Sequence, residues 1–316
     1  MSLTADLAFY WDEFSKLLQS MDPVMGGLTA TAGVVALAVR PVMRWRSRLH
    51  VRRITSVDDV DLSAMLDLHL RTFSEDVADD PLTVQTWLSG RFAADFEYFL
   101  LVLKHRQEVV GYLGAQLFFG SQVLFVNYVA ADLERVPRND RLERASIMLL
   151  DALIKTLAED GRPWRTALTE LEVIPIIGHH PPASKWMLFQ MGARAISAKY
   201  KRDPVIVYRM VADFRQLPIA PEALGNLPEA PIPQWLLLAA RDQSVITRRG
   251  GKHYISKALA TELLTSLLMD AYAALFPESK EYRHWFEVEL ARLVQSLGEL
   301  VELESSPRLP RGAKRR

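Results

Sequence analysis

Cysteine is absent from the 316-residue chain. That excludes disulfides and thiolate metal sites, and it fits a reducing compartment. An excess of either charge is absent too, since 38 Lys and Arg balance 38 Asp and Glu. Nothing global therefore draws the chain to nucleic acid, which would need a local basic surface. The basic tail RLPRGAKRR (308–316) is of the short kind that is usually solvated, so no nucleic-acid partner is expected. Glycine is missing between Gly120 and Gly161, where a strand is expected to run into a helix. The backbone approach that a phosphate-binding turn draws from glycine must come there from other residues.

At the N-terminus a long apolar run is nearly, but not quite, present. VMGGLTATAGVVALAV (Val24–Val39) carries no charge, whereas a membrane span needs about 20 apolar residues. It reaches that length only by taking in Arg40, whose long side chain can snorkel. The segment before it is acidic (Asp6, Asp12, Glu13 and Asp22 against Lys16), which rules out a secretory signal. Arg40, Arg44, Arg46 and Arg48 follow it, with Trp45 among them. Two readings stand. One is a single span over 24–43, with the arginines holding the rest of the chain at the cytoplasmic face of a membrane. The other is a buried docking helix in a cytoplasmic protein. LAFYWDEFSKLLQSM before it reads as an amphipathic helix for a surface or a partner.

From His50 the pattern is globular. VRRITS is a strand, and Ser56 is placed to cap a helix bearing Val60, Ala64 and Leu68. Pro81 opens a second, short helix ending near Gly90. YFLLVLKH, EVVGYLGAQLFF and QVLFVNYVAAD are apolar and β-rich, and the turns between them predict an antiparallel meander. Leu142, Ala145, Leu149, Leu153 and Leu157 recur at helical spacing, so a core helix runs over about 141–160, ended by Gly161 and Pro163. RTALTELEV is a fifth strand, naturally parallel to the one before the helix. HHPPASKWMLFQMGARAISAKY reads as a short helix stopped by Gly192 and then a strand, and PVIVYRMV closes the run. The proline-rich segment 214–234 reads as a linker. Beyond it, a C-terminal helical extension over 235–316 carries a wide stripe of Leu259, Leu263, Leu267 and Ala271, flanked by Leu264, Leu268 and Tyr272. Such a face must be buried on the preceding domain or on a second copy, and a homodimer through these helices is one expectation.

This order of strands and helices over 51–211 resembles the GNAT superfamily of acetyl-CoA-dependent N-acetyltransferases. Two local patterns carry the resemblance. ASKWMLFQMGARAI is similar to the family's helix A-x-x-x-Y-x-x-x-G-F: Gly192 falls on its glycine, Ser184 on the small first position, Leu188 on the tyrosine and Ala193 on the phenylalanine. RLERASIMLL is similar to the family's R/Q-x-x-G-x-G/A motif. Arg141 falls on the first position, or Arg138 if the loop is longer, with Arg144 on the first glycine and Ser146 on the small residue.

The resemblance implies an α/β (α+β) fold: a mixed, mostly antiparallel twisted sheet flanked by helices, over 50–213, after an N-terminal segment 1–49. It implies acetyl-CoA as co-substrate, an amine on a small molecule or protein as acceptor, and direct transfer. Tyr128, Val129 and Ala130, on the splayed fourth strand, would pair with the pantetheine arm. Arg138, Arg141, Arg144, Ala145 and Ser146 would meet the pyrophosphate, Arg144 through its guanidinium.

The residues themselves offer bases. Glu170 and Glu172 share one face of the fifth strand, and two close carboxylates raise one pKa. The alternative is that both face solvent or pair with arginines. His179 and His180 stand nearby; two histidines without a third ligand give no metal site, and no metal is expected. The family's proton-donating tyrosine is replaced by Leu188, next to Phe189, which leaves Tyr128 or Tyr200 as substitutes. Glu75, Asp76, Asp79 and Asp80 form an acidic rim suited to steering a cationic amine. The competing reading is a GNAT-like domain that has lost catalysis and binds a ligand or partner. A third makes the helical tail an oligomerisation module.

Overall fold

The computed structural model describes residues 49–73, 80–90, 95–132, 134–136, 142–172, 182–200, 205–216, 232–275 and 279–305. The unit Met1–Arg48, with the candidate span 24–43 and the amphipathic segment, lies outside the described residues. Among the described residues no helix is long and apolar enough to cross a membrane.

The described residues build one ten-stranded sheet. Its first part is β1 (Leu49–Ile54), α1 (Leu62–Thr72), α2 (Pro81–Leu88), β2 (Phe96–His105), β3 (Glu108–Phe118) and β4 (Val123–Ala131). Then come α3 (Leu142–Glu159), β5 (Thr166–Glu172), α4 (Pro182–Lys199), β6 (Val207–Gln216) and β7 (Ile232–Ala240). The last part is β8 (Thr247–Arg249), β9 (Lys252–Ser256), α5 (Lys257–Thr265), α6 (Lys280–Ser296) and β10 (Leu300–Ser305). Helix α5 runs on into a π-helical stretch, Ser266–Tyr272. The strand order is β1-β2-β3-β4-β5-β7-β6-β10-β9-β8. The meander β2-β3-β4 is antiparallel as expected, and β4 and β5 form the expected parallel pair.

Alternation along the strands sorts side chains onto two faces. One face, with Leu100, Tyr112, Phe125, Leu168 and Leu238, packs under α1, α2, α5 and α6. The other, with Leu101, Leu113, Leu124 and Val126, packs on the predicted α3 stripe of Ala145, Leu149, Leu153 and Leu157, all within 1% of full burial. Leu171, Val207 and Leu237 continue that face under Trp186 of α4.

Four sequence expectations change. Ser56 does not cap α1; its hydroxyl accepts from Asp58 N in a turn, and α1 starts six residues later behind Asp61. Gly192 does not stop α4, which continues to Lys199. A Cβ there would lie 3.1 Å from Leu150 Cδ1, so the glycine serves a close helix crossing. The residues expected as a strand, ARAISAKY, continue α4. Trp186 Nε1 donates to Val207 O and Gln190 Nε2 to Val205 O, while Gln190 Oε1 accepts from Val207 N; these bonds pin α4 against the start of β6. The strand between β5 and β6 is instead β7, which begins within the expected linker and pairs with both neighbours. Finally, the C-terminal part is not purely helical: β10 and β9 extend the sheet from β6. The wide stripe of Leu259, Leu263, Leu264, Leu267, Leu268 and Tyr272 is buried in the chain's own core.

Candidate active site

Strands β4 and β5 pair over only three residues, Val123–Phe125 with Thr166–Leu168. Both continue well past that point, β4 along β3 to Ala131 and β5 along β7 to Glu172. Beyond Phe125 and Leu168 the two strands therefore part, and the β5-facing edge of β4 has no strand partner among the described residues. Thr169 Oγ1, donating to Val126 O at 2.8 Å, closes the apex of the opening.

A bulge sits at that apex. Gly114 pairs with Tyr128 and Ala115 with Val126, leaving Asn127 as the extra residue. The bulge resets the alternation, so Phe125, Tyr128 and Ala130 share one face. Bulges bend a strand and re-aim its side chains. Asn127 Nδ2 donates to Oε1 of the fully buried Gln116 at 3.2 Å. Gln116 Nε2 and Asn127 Oδ1 are buried and have no hydrogen-bond partner among the described residues. Two buried amide atoms in this state are costly unless a ligand or water meets them.

Around the bulge lies an aromatic wall. His69 of α1 is 1% exposed; its Nδ1 shares a 2.5 Å hydrogen bond with Tyr112 OH. The Tyr128 ring stands edge-on to His69 at 4.8 Å and to Phe73 at 4.9 Å. Tyr128 is thus fixed in the wall, and Val129 and Ala130 follow it on the open edge of β4. Close packing at Gly111 holds that edge in place, since a Cβ there would lie 2.9 Å from Ala130 O. Backbone cannot yield as a flexible side chain does. Gly111→Ala is therefore expected to cost about 1–3 kcal/mol in urea denaturation and to weaken any ligand of the β4 edge. Gly120→Ala, with open space around its Cβ, is the matched control and is expected to stay near wild type.

Across the opening, on the same face, stands Glu170 of β5. Tyr272 OH donates to Glu170 Oε2. Tyr272 is held by its own surroundings. Its ring stacks on Phe286 of α6 (5.8 Å, 12°) and meets Phe125, the last β4 residue paired with β5, at 6.1 Å. The π-helical stretch that delivers Tyr272 is tied to the β3–β4 turn through Ser266 Oγ, which donates to Ser121 Oγ at 2.7 Å. π-Turns are costly and cluster at functional sites. Asp270, within the same stretch, has its pKa raised by burial.

The other predicted residues fall in several places. Ala145 is fully buried at the start of α3 and Ser146 is half-buried beside it. Arg144 lies in the first turn of α3, but its side chain, like those of Glu172 and Leu188, lies outside the described residues. Arg138, Arg141, His179, His180, Glu75, Asp76 and Asp79 lie outside them entirely. Asp80 is the N-cap of α2, accepting from Leu82 N at 2.8 Å. Tyr200 lies beyond the end of α4 with the Lys199 ammonium 5.4 Å from its ring centre, away from Glu170. Sequence reading passed over Tyr272 because it sits in the apolar stripe of a helix; its hydroxyl, the one polar group in that row, was the available signal.

No family model matches the chain, and no curated protein matches it. Solved structures do. A diaminobutyrate acetyltransferase from Paenibacillus lautus, in complex with L-2,4-diaminobutyric acid and coenzyme A, aligns over 61% of this chain and 95% of its own, at 15% identity and a TM-score of 0.40. An N-acetyltransferase from Staphylococcus aureus aligns over 61% and 99%, at 11% identity and 0.37. A Bacteroides thetaiotaomicron protein described as a GNAT-family acetyltransferase aligns over 62% and 89%, at 14% and 0.37.

Proposed function

We propose that the chain is an acyl-CoA-dependent N-acyltransferase that moves an acetyl or related acyl group directly to an amine. The observation that carries this reading is the opening between β4 and β5, with a bulge, an edge of β4 that has no strand partner among the described residues, and the Glu170–Tyr272 pair at its apex. An extended pantetheine arm is the kind of ligand that adds to such an edge, along Tyr128, Val129 and Ala130. The two buried amide atoms at Gln116 and Asn127 suit a polar ligand there. Ala145 and Ser146, small residues at the start of α3, leave room for a pyrophosphate at the helix N-terminus, which favours anions.

When bound, the co-substrate supplies an acyl group activated as a thioester. The chain's own residues handle the proton. An attacking amine must be neutral, and Glu170 Oε2, across the opening from the β4 edge, is the base that receives its proton. Tyr272 holds that carboxylate in place and is the hydroxyl nearest the base on this face, in the role the family gives to the tyrosine replaced here by Leu188. Glu172, His179 and His180 remain the alternative bases, and the acidic residues about Asp80 remain the attraction for a cationic acceptor.

Calorimetric titration of the full chain with CoA and acetyl-CoA tests the reading. Saturable binding is expected, weakened by Arg141→Ala and Arg144→Ala by about tenfold, the loss of one charge-assisted phosphate contact. A folded protein that binds neither would leave the alternative, a GNAT-like module that binds some other ligand or a partner.

A further inference from the structure

On the opposite face of the sheet from Glu170 lies a cavity of about 860 Å³ between α3 and α4. The two helices meet closely where Gly192 faces Leu150. Leu153 and Ile154 of α3 line one wall, and Phe189, Ala193 and Ile196 of α4 the other. The cavity reaches Val126 and Thr169, the residues that form the apex of the β4–β5 opening. Its far end is bounded by Trp164, Arg241 and Ser244.

Four of the polar side chains in this lining are already engaged in hydrogen bonds. Thr169 Oγ1 donates to Val126 O. Ser197 Oγ donates to Ala193 O and accepts from Val205 N. Gln243 Nε2 donates to Ala240 O, and Asp242 accepts from Ser244 N. What remains toward the interior is hydrocarbon, and a concave, mostly apolar lining suits an apolar ligand. Its size is that of a pocket for a whole ligand, about 300–1,000 Å³, so a two-carbon acetyl group would leave it nearly empty.

We propose that this cavity receives the acyl chain of the donor, and that the donor is an acyl-CoA of medium or longer chain rather than acetyl-CoA. The inference rests on the acyl-CoA reading above. It places the thioester at the apex, the base and acceptor on the Glu170 face, and the chain passing the apex to lie between α3 and α4. Arg241, whose guanidinium sits 5.6 Å from the Trp164 ring centre, marks the far end.

The test is equilibrium binding of CoA, acetyl-, octanoyl- and dodecanoyl-CoA to the full chain, and to two variants that fill the cavity from different sides, Ala193→Phe on the wall and Ala239→Leu on the sheet. Each methylene taken from water strengthens binding roughly fourfold, so octanoyl-CoA is expected to bind at least about tenfold more tightly than acetyl-CoA even if only part of its chain is buried. In either variant that ratio is expected to fall toward one. Equal affinity for acetyl- and octanoyl-CoA in the wild type overturns the proposal while leaving the acyl-CoA reading intact. A chain-length gain that survives in both folded variants puts the chain elsewhere and also overturns it. Failure to bind CoA in any form removes both readings together.

Discussion

Glu170→Gln is expected to lower turnover by about 10²–10⁴-fold, the usual contribution of a general base, without weakening CoA binding. The glutamine keeps the shape of the side chain and can still accept from Tyr272, so the fold has little reason to change. The drop is expected in kcat and kcat/KM alike, because proton removal is felt in the transition state rather than in binding. Tyr272→Phe is the companion. It keeps the stack on Phe286 and the contact with Phe125 and removes only the hydroxyl. A hydroxyl that donates to a carboxylate favours the ionised form, and a base accepts protons only when ionised. Its loss is therefore expected to move the rising limb of the pH–rate profile to higher pH, which a purely structural tyrosine would not do. Full turnover in Glu170→Gln would hand the role to Glu172, His179 or His180.

The second large effect is on stability. Asp61 and Lys104 are buried, at 6% and 8% exposure, with Lys104 Nζ donating to both Asp61 oxygens at 2.7 and 2.9 Å. Arg52 donates to Asp61 and to Asp59 as well, and Asp59 Oδ1 accepts from Asp61 N. This network joins β1, the turn before α1, and β2. Asp61→Asn leaves the Lys104 ammonium buried without a carboxylate, a loss of about 3–5 kcal/mol. With about 2–4 °C per kcal/mol for a unit of this size, the melting temperature is expected to fall on the order of 10 °C.

The same network sets an acid limb. For Asp61, burial pushes the carboxyl pKa up, but the bonds from Lys104 and Arg52 together outweigh it, and the net shift is below the ordinary value of 3.8. Asp59 is likewise lowered, chiefly by its bond from Arg52. A depressed folded pKa contributes stability above the unfolded pKa and loses it as pH falls through the folded value. Wild-type stability is thus expected to drop steeply below about pH 4, and the Asp61→Asn curve to be flatter there.

Where local pattern and burial agree, the sequence was sufficient. The meander, the α3 stripe and the parallel β5 follow from apolar spacing that one face of a strand or helix requires. Gly161, at φ 64°, ends α3 because only glycine takes that conformation cheaply. The errors came where two periods fit the same letters. ARAISAKY alternates well enough for a strand, yet Gln190 and Ser197 spend their polar groups on the backbone about β6, and the helix continues. Gly192 reads as a stop signal unless one knows that Leu150 lies against it. The strand that fills the gap between β5 and β6 starts at the end of the proline-rich segment, a long-range pairing that no local window contains. Asp61 was hidden for the same reason: its partner Lys104 is 43 residues away. At the site, Glu170 was legible as a carboxylate on a strand, but the tyrosine that meets it is 102 residues away.

That separation bears on how the molecule comes into being. β5 cannot be covered on its second edge until Ile232–Ala240 has been made, and Tyr272, which meets Glu170, is made later still. During synthesis at the ribosome β4 and β5 are therefore made before the tyrosine that meets Glu170. The nascent chain exposes strand edges through that interval, and the second edge of β5 is closed only by a strand made far downstream.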